Sequence, residues 1–577
     1  MTSTSSQTEP QPVIPPASAG KRLSGWALAS VLAGLMLTLL LSALDQTIVG
    51  TALPKIIGDL HGFDRYTWVV TAYLLASTTV IPIVGKLSDQ FGRKWLLIGG
   101  IVIFLAGSVL SGASQAINQL IVFRGLQGLG AGFLMTLVIT SVGDIFSPAE
   151  RARWQGLFSG VLALASVIGP TVGGLITDHA TWRWVFYINL PIAMLALIAL
   201  VIWLPSSISV RSTRYRGWSA VRRIDFIGAL TAAAATICLL LGLTWGGSTY
   251  PWASTQVIGM LSAAGVLYIV FVINERFAIE PILPLDLFRN QIFTAGALLS
   301  LTVGFALFGA IIYLPLFIQA VLGQTATSSG AATTPLMVTL AIGAVLVGFL
   351  IARVGRYQIF SIIGAVILTI GMFLLSRMGT MTTLAEVTLN MVVIGAGMGM
   401  LQPVMSLAVQ NAILRERLGV GTGAVSYLRS TGATIGTAVL GTVVANVAAS
   451  ELPSQLPAAA SKLPSSVLAL ATNQQVLVNS DAQHMLIRQA VQQTAARLPP
   501  GPAHAQQIAA LTNQVTHMFQ QIFMAGRLSL GDGIHTAFLL ATGVCLATVI
   551  ITLFLKDVPL RKREEGVPEQ QAIPIEA

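Results

Sequence analysis

Residues 85–93 read Gly85-Lys86-Leu87-Ser88-Asp89-Gln90-Phe91-Gly92-Arg93, and the chain returns to that frame at Gly348-Phe349-Leu350-Ile351-Ala352-Arg353-Val354-Gly355-Arg356. Gly85, Leu87, Gly92 and Arg93 recur at a spacing of 263 residues. The same spacing carries Gly156, Gly160, Gly169 and Gly173 onto Gly419, Gly423, Gly432 and Gly436. Glycine is common, 55 of 577 residues, so a single match means little. Two separate segments agreeing on one spacing mark an internal duplication.

Each copy of the stretch closes an apolar run of membrane-spanning length, for which about twenty residues are needed. That ruler finds fourteen runs, at 26–50, 68–84, 95–113, 118–142, 156–176, 185–204, 225–246, 256–274, 292–318, 331–352, 358–377, 385–410, 422–448 and 534–555. Pro335 and Pro403 interrupt two of them, as is tolerated where neighbouring helices satisfy the freed backbone groups. Only 9% of the chain is charged and 54% is hydrophobic, too few charges to cover a soluble protein of this length. The lysines and arginines set the orientation. Of 32, the segments on one side, here called inner, hold twenty-two, and the short loops on the other hold four: Lys55, Arg65, Arg183 and Arg377. The long outer loop holds Lys462, Arg488, Arg497 and Arg527, while Arg124 and Arg429 lie inside apolar runs. Both ends of the chain therefore face the inner, cytoplasmic side, and the net charge of +10 reflects topology rather than nucleic-acid binding.

The repeat maps helix 2 onto helix 10 and helix 5 onto helix 13, so two six-helix halves flank an inserted pair, helices 7 and 8. The expected fold is an all-α polytopic membrane protein. Its parts are a disordered tail (1–24), an N-terminal bundle (25–205), a basic loop with two inserted helices (206–291), a C-terminal bundle (292–556) and an inner tail (557–577). The first twenty residues lack the apolar segment of a signal peptide. An outer loop, 450–532, interrupts the C-terminal bundle. Within it Ile508, Leu511, Val515, Phe519 and Ile522 recur at helical spacing, which predicts an amphipathic helix able to cap the vestibule, lie on the membrane or bind an envelope partner. Cys238 and Cys545 are far apart within apolar runs and suggest neither a disulfide framework nor a metal site.

The whole set of motifs resembles the major facilitator superfamily, in its fourteen-helix drug:proton antiporter branch (EmrB/QacA type). Gly85 to Lys94 resembles the loop signature between helices 2 and 3, and Leu44 to Pro54 the helix 1 motif. Arg124-Gly125-Leu126-Gln127-Gly128-Leu129-Gly130 resembles the helix 4 motif. Gly160 with Gly169-Pro170-Thr171-Val172-Gly173-Gly174 resembles the antiporter motif of helix 5, and Trp182 to Pro191 completes the set.

Asp45 is the first candidate for proton coupling, because it is the lone charge between Leu23 and Pro54. An ionisable group within a span is costly and functional by default, although a solvated position at the outer interface is the alternative. Arg124 is its expected partner: helix 1 runs outward and helix 4 inward, which brings the two to similar depth. A guanidinium beside a carboxylate makes proton affinity depend on their separation. The alternative is an arginine satisfied by backbone carbonyls. For Gly85, Asp89, Gly92 and Arg93 the resemblance implies a latch that closes the inner side in the outward-facing state, and the second copy carries Ala352 in place of the acid. Gly169, Pro170, Gly173 and Gly174 are expected to give close packing and a bend, as gate or as packing alone. Gln127 and Gln402 are candidate substrate-binding residues.

Neither a Walker A loop nor HExxH nor G-x-S-x-G occurs, which argues against an ATPase or a hydrolase and leaves an ion gradient as the energy source. The resemblance thus implies a cofactor-free exporter that exchanges protons for small lipophilic, preferentially cationic compounds in a bacterial inner membrane, its partners being protons, substrate and lipid. Helices 10 and 13 carry no acid while Arg429 lies in helix 13, which weighs against divalent cations and leaves neutral or anionic amphiphiles open. Export of an envelope lipid or glycolipid, transport of one dedicated metabolite and a transport-dead sensor are the other readings.

Overall fold

The computed structural model describes residues 25–60, 66–146, 148–206, 225–247, 249–324, 326–457, 468, 471–472, 476–477, 480–495 and 504–557. The expected tail 1–24, all of the expected tail 557–577 but Asp557, and the basic stretch 207–224 lie outside the described residues. Fourteen described helices are long and apolar enough to span a membrane. The N-terminal six are α1 (Gly25–Asp59), α2 (Tyr66–Phe91), α3 (Arg93–Ala113), α4 (Ile117–Ile145), α5 (Pro148–His179) and α6 (Asn189–Trp203). The inserted pair is α7 (Phe226–Trp245) and α8 (Thr255–Phe277). The C-terminal six are α9 (Gln291–Leu316), α10 (Ala326–Val354), α11 (Gln358–Ser376), α12 (Leu384–Ala412), α13 (Leu418–Gln455) and α14 (His504–Leu553).

Each span keeps its backbone hydrogen bonds within itself, as a lipid solvent demands. The ends are fixed by polar caps placed just outside the apolar runs. Asp225 accepts from Gly228 N, Ser254 from Val257 N, and Asn290 from Ile292 N and Phe293 N. Thr383 and Glu386 form a reciprocal capping box at the start of α12. Two apolar cores result. One gathers Leu35, Phe104, Leu134 and Leu200 of the N-terminal half, the other Phe317, Leu336, Leu368 and Phe538 of the C-terminal half. Outward-facing apolar residues such as Val266, Ile269 and Ile273 of α8 remain uncovered, which suits lipid rather than water.

The duplication is visible where the halves meet. A Cβ on Gly85 of α2 would stand 2.6 Å from Gly419 O of α13, and the repeat-related Gly348 of α10 lies against Ala152 and Gly156 of α5. These crossings, α2 on α13 and α5 on α10, are the two seams between the bundles. The inserted pair rides on the first. Thr236 of α7 is 3.0 Å from the Tyr427 hydroxyl of α13, Tyr268 of α8 joins both, and Trp245 packs edge-on to Trp68 of α2 at 6.0 Å.

The outer segment departs from the loop drawn at 450–532. Helix α13 runs on to Gln455, and α14 begins at His504, so the amphipathic stretch and the last span form one helix of 50 residues. Val515, Phe519 and Ile522 are buried, continuing the C-terminal core beyond the span, and a further helix, Ser480–Ala495, packs against them. The run Gly526 to Gly533 does not break α14. Its glycines serve close approach: a Cβ on Gly533 would stand 2.6 Å from Val444 O of α13, and one on Gly526 would stand 3.2 Å from the Leu477 side chain.

Candidate functional site

Asp45 sits in the third quarter of α1, within the N-terminal bundle, and is fully buried. Its Oδ2 accepts from Arg124 Nη1 at 2.6 Å, and its Oδ1 accepts from Gln127 Nε2 at 2.8 Å and from Asn189 Nδ2 at 2.9 Å. Arg124 also donates to Gln127 Oε1 at 2.8 Å. Helix geometry explains the pairing, since Arg124 and Gln127 are three apart on one face of α4. Asn189, at the start of α6, reaches Ser108 of α3 at 3.0 Å as well, so three helices meet at one carboxylate and a fourth joins through Asn189. The Tyr73 ring lies 4.3 Å from the guanidinium carbon and that of Phe186 6.0 Å, walling the cluster off with π faces suited to a cation. Three N–H donors converging on one carboxylate is the coordination of an ionised acid. A proton on Asp45 would remove the charge that these donors answer and weaken their hydrogen bonds, so protonation and the grip between helices are tied together.

Two residues along, Thr47 bonds Ala165 O of α5 at 3.2 Å and fills the space beside Gly169. Gly169 thus lets α5 lie against α1 next to the cluster, while Gly174 faces open space, Gly173 accepts from Thr177 and Pro170 lies within α5.

The second group joins the two halves at the ends of α2 and α13. Asp89 accepts from Gly419 N and Val420 N, both at 2.9 Å, and so caps the first turn of α13 across the seam. Helix starts expose unpaired N–H groups and positive partial charge, and an aspartate answers both. Arg93 holds that aspartate at 2.6 Å and Asp144 of α4 at 2.9 Å. The glycines here divide their work. Gly92 takes φ +89, separating α2 from α3, as Gly355 with φ +77 does after α10. Gly85, expected in a loop, lies inside α2 instead, where its missing side chain permits contact with Gly419. Beside the other seam, Gln155 Nε2 of α5 donates to Gln410 Oε1 of α12 at 3.0 Å.

Above that floor lies a cavity of about 40 Å³ between the halves, room for a few waters in this conformation. Gln402, Ser406, Ser426, Ser159 and Phe158 line it, with Arg429 of α13. Gln402 therefore faces the central space. Gln127, expected beside it, does not: it is fully buried in the Asp45 cluster, because both its amide ends are engaged there. None of the cluster's residues lines the cavity, so proton site and central space are separate here.

Sequence reading names Asn189 only within the motif ending at Pro191, and passes over Asp144 and Gln410. Asp144 had a signal, being an acid near the inner end of an otherwise uncharged stretch of helix 4. No group of three or more His, Cys, Asp or Glu able to hold a metal occurs among the described residues.

The family model described as Major Facilitator Superfamily matches residues 35–437. Multidrug transporter protein MdtP of Bacillus subtilis (strain 168) is 36% identical over 545 residues, 94% of this chain and 95% of the relative. Multidrug resistance protein 3 of the same organism is 38% identical over 422 residues, 73% of this chain and 80% of the relative. Among solved structures, the human organic anion transporter MFSD10 aligns with a TM-score of 0.57 at 13% identity, over 90% of this chain and 100% of the other. The proton:xylose symporter XylE aligns at 0.53 and 14%, over 73% and 89%. At such identities these two speak to the fold alone.

Proposed function

The chain belongs to the major facilitator superfamily and is a membrane transporter rather than an enzyme, and from that premise we propose that it exports lipophilic compounds in exchange for protons. The names of its relatives supply the cargo class, drugs. The observation that carries the coupling is the buried Asp45, Arg124, Gln127 and Asn189 cluster, an ionisable group held inside a span by N–H donors from other helices. The reading places the basic side in the cytoplasm of a bacterial cell, with both termini there.

The inner ends are joined by Asp89 and by the Gln155–Gln410 contact, as expected of a state closed toward the basic side. A proton entering from outside neutralises Asp45 and weakens the bonds from Arg124, Gln127 and Asn189, which loosens α1 from α4 and α6. Helix α5, fastened to α1 through Thr47 and Gly169, carries that change toward Gln155 at the inner seam. Because Asp45 is apart from the cavity, substrate and proton compete through the two conformations rather than for one place, which reciprocal linkage permits.

The test is proton movement in everted vesicles, followed with a pH-sensitive dye as lipophilic compounds of either charge are added. Wild-type protein should dissipate an imposed pH difference on addition of cargo, and Asp45→Asn, present in equal amount, should not. An Asp45→Asn response equal to wild type would remove Asp45 from the coupling. Cargo accumulation that ignores the pH gradient would remove proton exchange itself.

A further inference from the structure

Arg429 lies eleven residues into α13, roughly 16 Å from its inner start and hence near the middle of the bilayer. Its backbone is held against Gly304 of α9, and its side chain lines the central cavity. Arg124, the other arginine within an apolar run, has Asp45 and Gln127. Arg429 has neither hydrogen bond nor ion pair with any described residue. The residues lining the cavity include no carboxylate. They offer instead the hydroxyls of Ser159, Ser406 and Ser426 and the amide of Gln402, above apolar Phe158 and Met405. A lone guanidinium at this depth is among the costliest groups to keep in a membrane protein, and such charges mark ligand paths. With five N–H donors and no acceptor of its own, it is built to be answered by an oxyanion.

We infer that Arg429 is the anion subsite of the central cavity, receiving a carboxylate, sulfonate or phosphate borne by the lipophilic cargo while Phe158 and Met405 take its apolar body. The inference rests on the export reading for the identity of the cavity and sharpens it, turning the expected preference for cations around. A cation entering this cavity meets a like charge with no acid to offset it. An anionic amphiphile exchanges water for a guanidinium, an amide and three hydroxyls. The present 40 Å³ holds only solvent, so the subsite engages cargo as the halves part around it.

The experiment uses an isosteric pair, naphthalene-2-sulfonate and trimethyl(2-naphthyl)ammonium, both radiolabelled, bound at equilibrium to the full chain in lipid nanodiscs. Wild type should bind the sulfonate at least tenfold more tightly than the ammonium. Arg429→Gln should lose about tenfold or more in sulfonate affinity and change the ammonium by less than twofold, and Arg429→Lys should recover part of the loss. Tighter wild-type binding of the ammonium, or a sulfonate affinity unmoved in Arg429→Gln, overturns the subsite. Should Arg429→Gln not accumulate, the wild-type ranking and Arg429→Lys decide. Transport is read separately in everted vesicles: sulfonate binding that depends on Arg429 without any export keeps the subsite and removes the export reading.

Discussion

At the Asp45 carboxylate, charge alone does not describe what Arg124 contributes. One nitrogen of its planar fork reaches Asp45 and Gln127 together, while the guanidinium face rests on Tyr73. Lysine keeps the charge but concentrates it at a point and gives up the flat face. Arg124→Lys should therefore still fold and bind cargo, yet lower cargo-driven proton flux by about tenfold or more, measured as initial dye response at equal protein in vesicles. Flux within twofold of wild type would show that any cation at this depth suffices. Much of this site is legible in the sequence. A lone acid and a lone arginine in antiparallel helices at matched depth have few places to go except to each other. Asn189 was not legible, because a neutral amide at a helix start looks the same whether it faces lipid headgroups or a buried acid. Gln127 was misplaced for a related reason: its position on the face of Arg124 is readable, but whether that face turns to the cavity or into the bundle depends on the rotation of α4.

Helices made the next layer of the design, and their ends do more than connect spans. The start of α13 is capped not by its own chain but by Asp89 of α2, 330 residues earlier in sequence. Asp89→Asn keeps the shape and one acceptor oxygen but loses charge assistance, a loss of about 1–2 kcal/mol in favour of the closed inner side. The outward-facing population should fall by about 5- to 30-fold relative to the inward-facing one. Spin labels at Trp95→Cys and Leu414→Cys, both exposed near the inner side, should report a longer distance in Asp89→Asn than in its parent, with Cys238 and Cys545 replaced in both. An unchanged distance distribution would leave Asp89 a topology anchor only. Span number was readable because hydropathy and basic loops are one-dimensional signals. The outward extension of α14 was not, since Gly526, Gly531, Asp532 and Gly533 separate its amphipathic stretch from the apolar run at 534–555. They are helical here because α13 and Leu477 crowd that face, and crowding by partners distant in sequence leaves no local trace.

For the whole molecule, the two seams repeat each other and imply a rocking motion in which the inner contacts part. Gln155 of α5 and Gln410 of α12 touch beside the α5–α10 seam, where Arg151 also reaches Gln410 O and Arg153 lies over the Phe349 ring. In protein lacking Cys238 and Cys545, a short bifunctional thiosulfonate joining Gln155→Cys to Gln410→Cys should stop export almost completely, and reductant should restore it. Export by the cross-linked protein would mean that the halves need not separate there. The pairing of α13 with α14 has a mechanical consequence. Helix α14 is 50 residues, about 75 Å, against about 30 Å of hydrocarbon; α13 accompanies it outward as far as Asp532, where Gln455 bonds it, and the Ser480–Ala495 helix packs on the part beyond. It behaves as a lever whose short arm is embedded in the moving half. A turn of 10° at the membrane would sweep a tip about 45 Å away through about 8 Å. The C-terminal bundle thereby announces its position to the space outside the membrane, and anything that holds the tip still brakes the pump without touching its cavity.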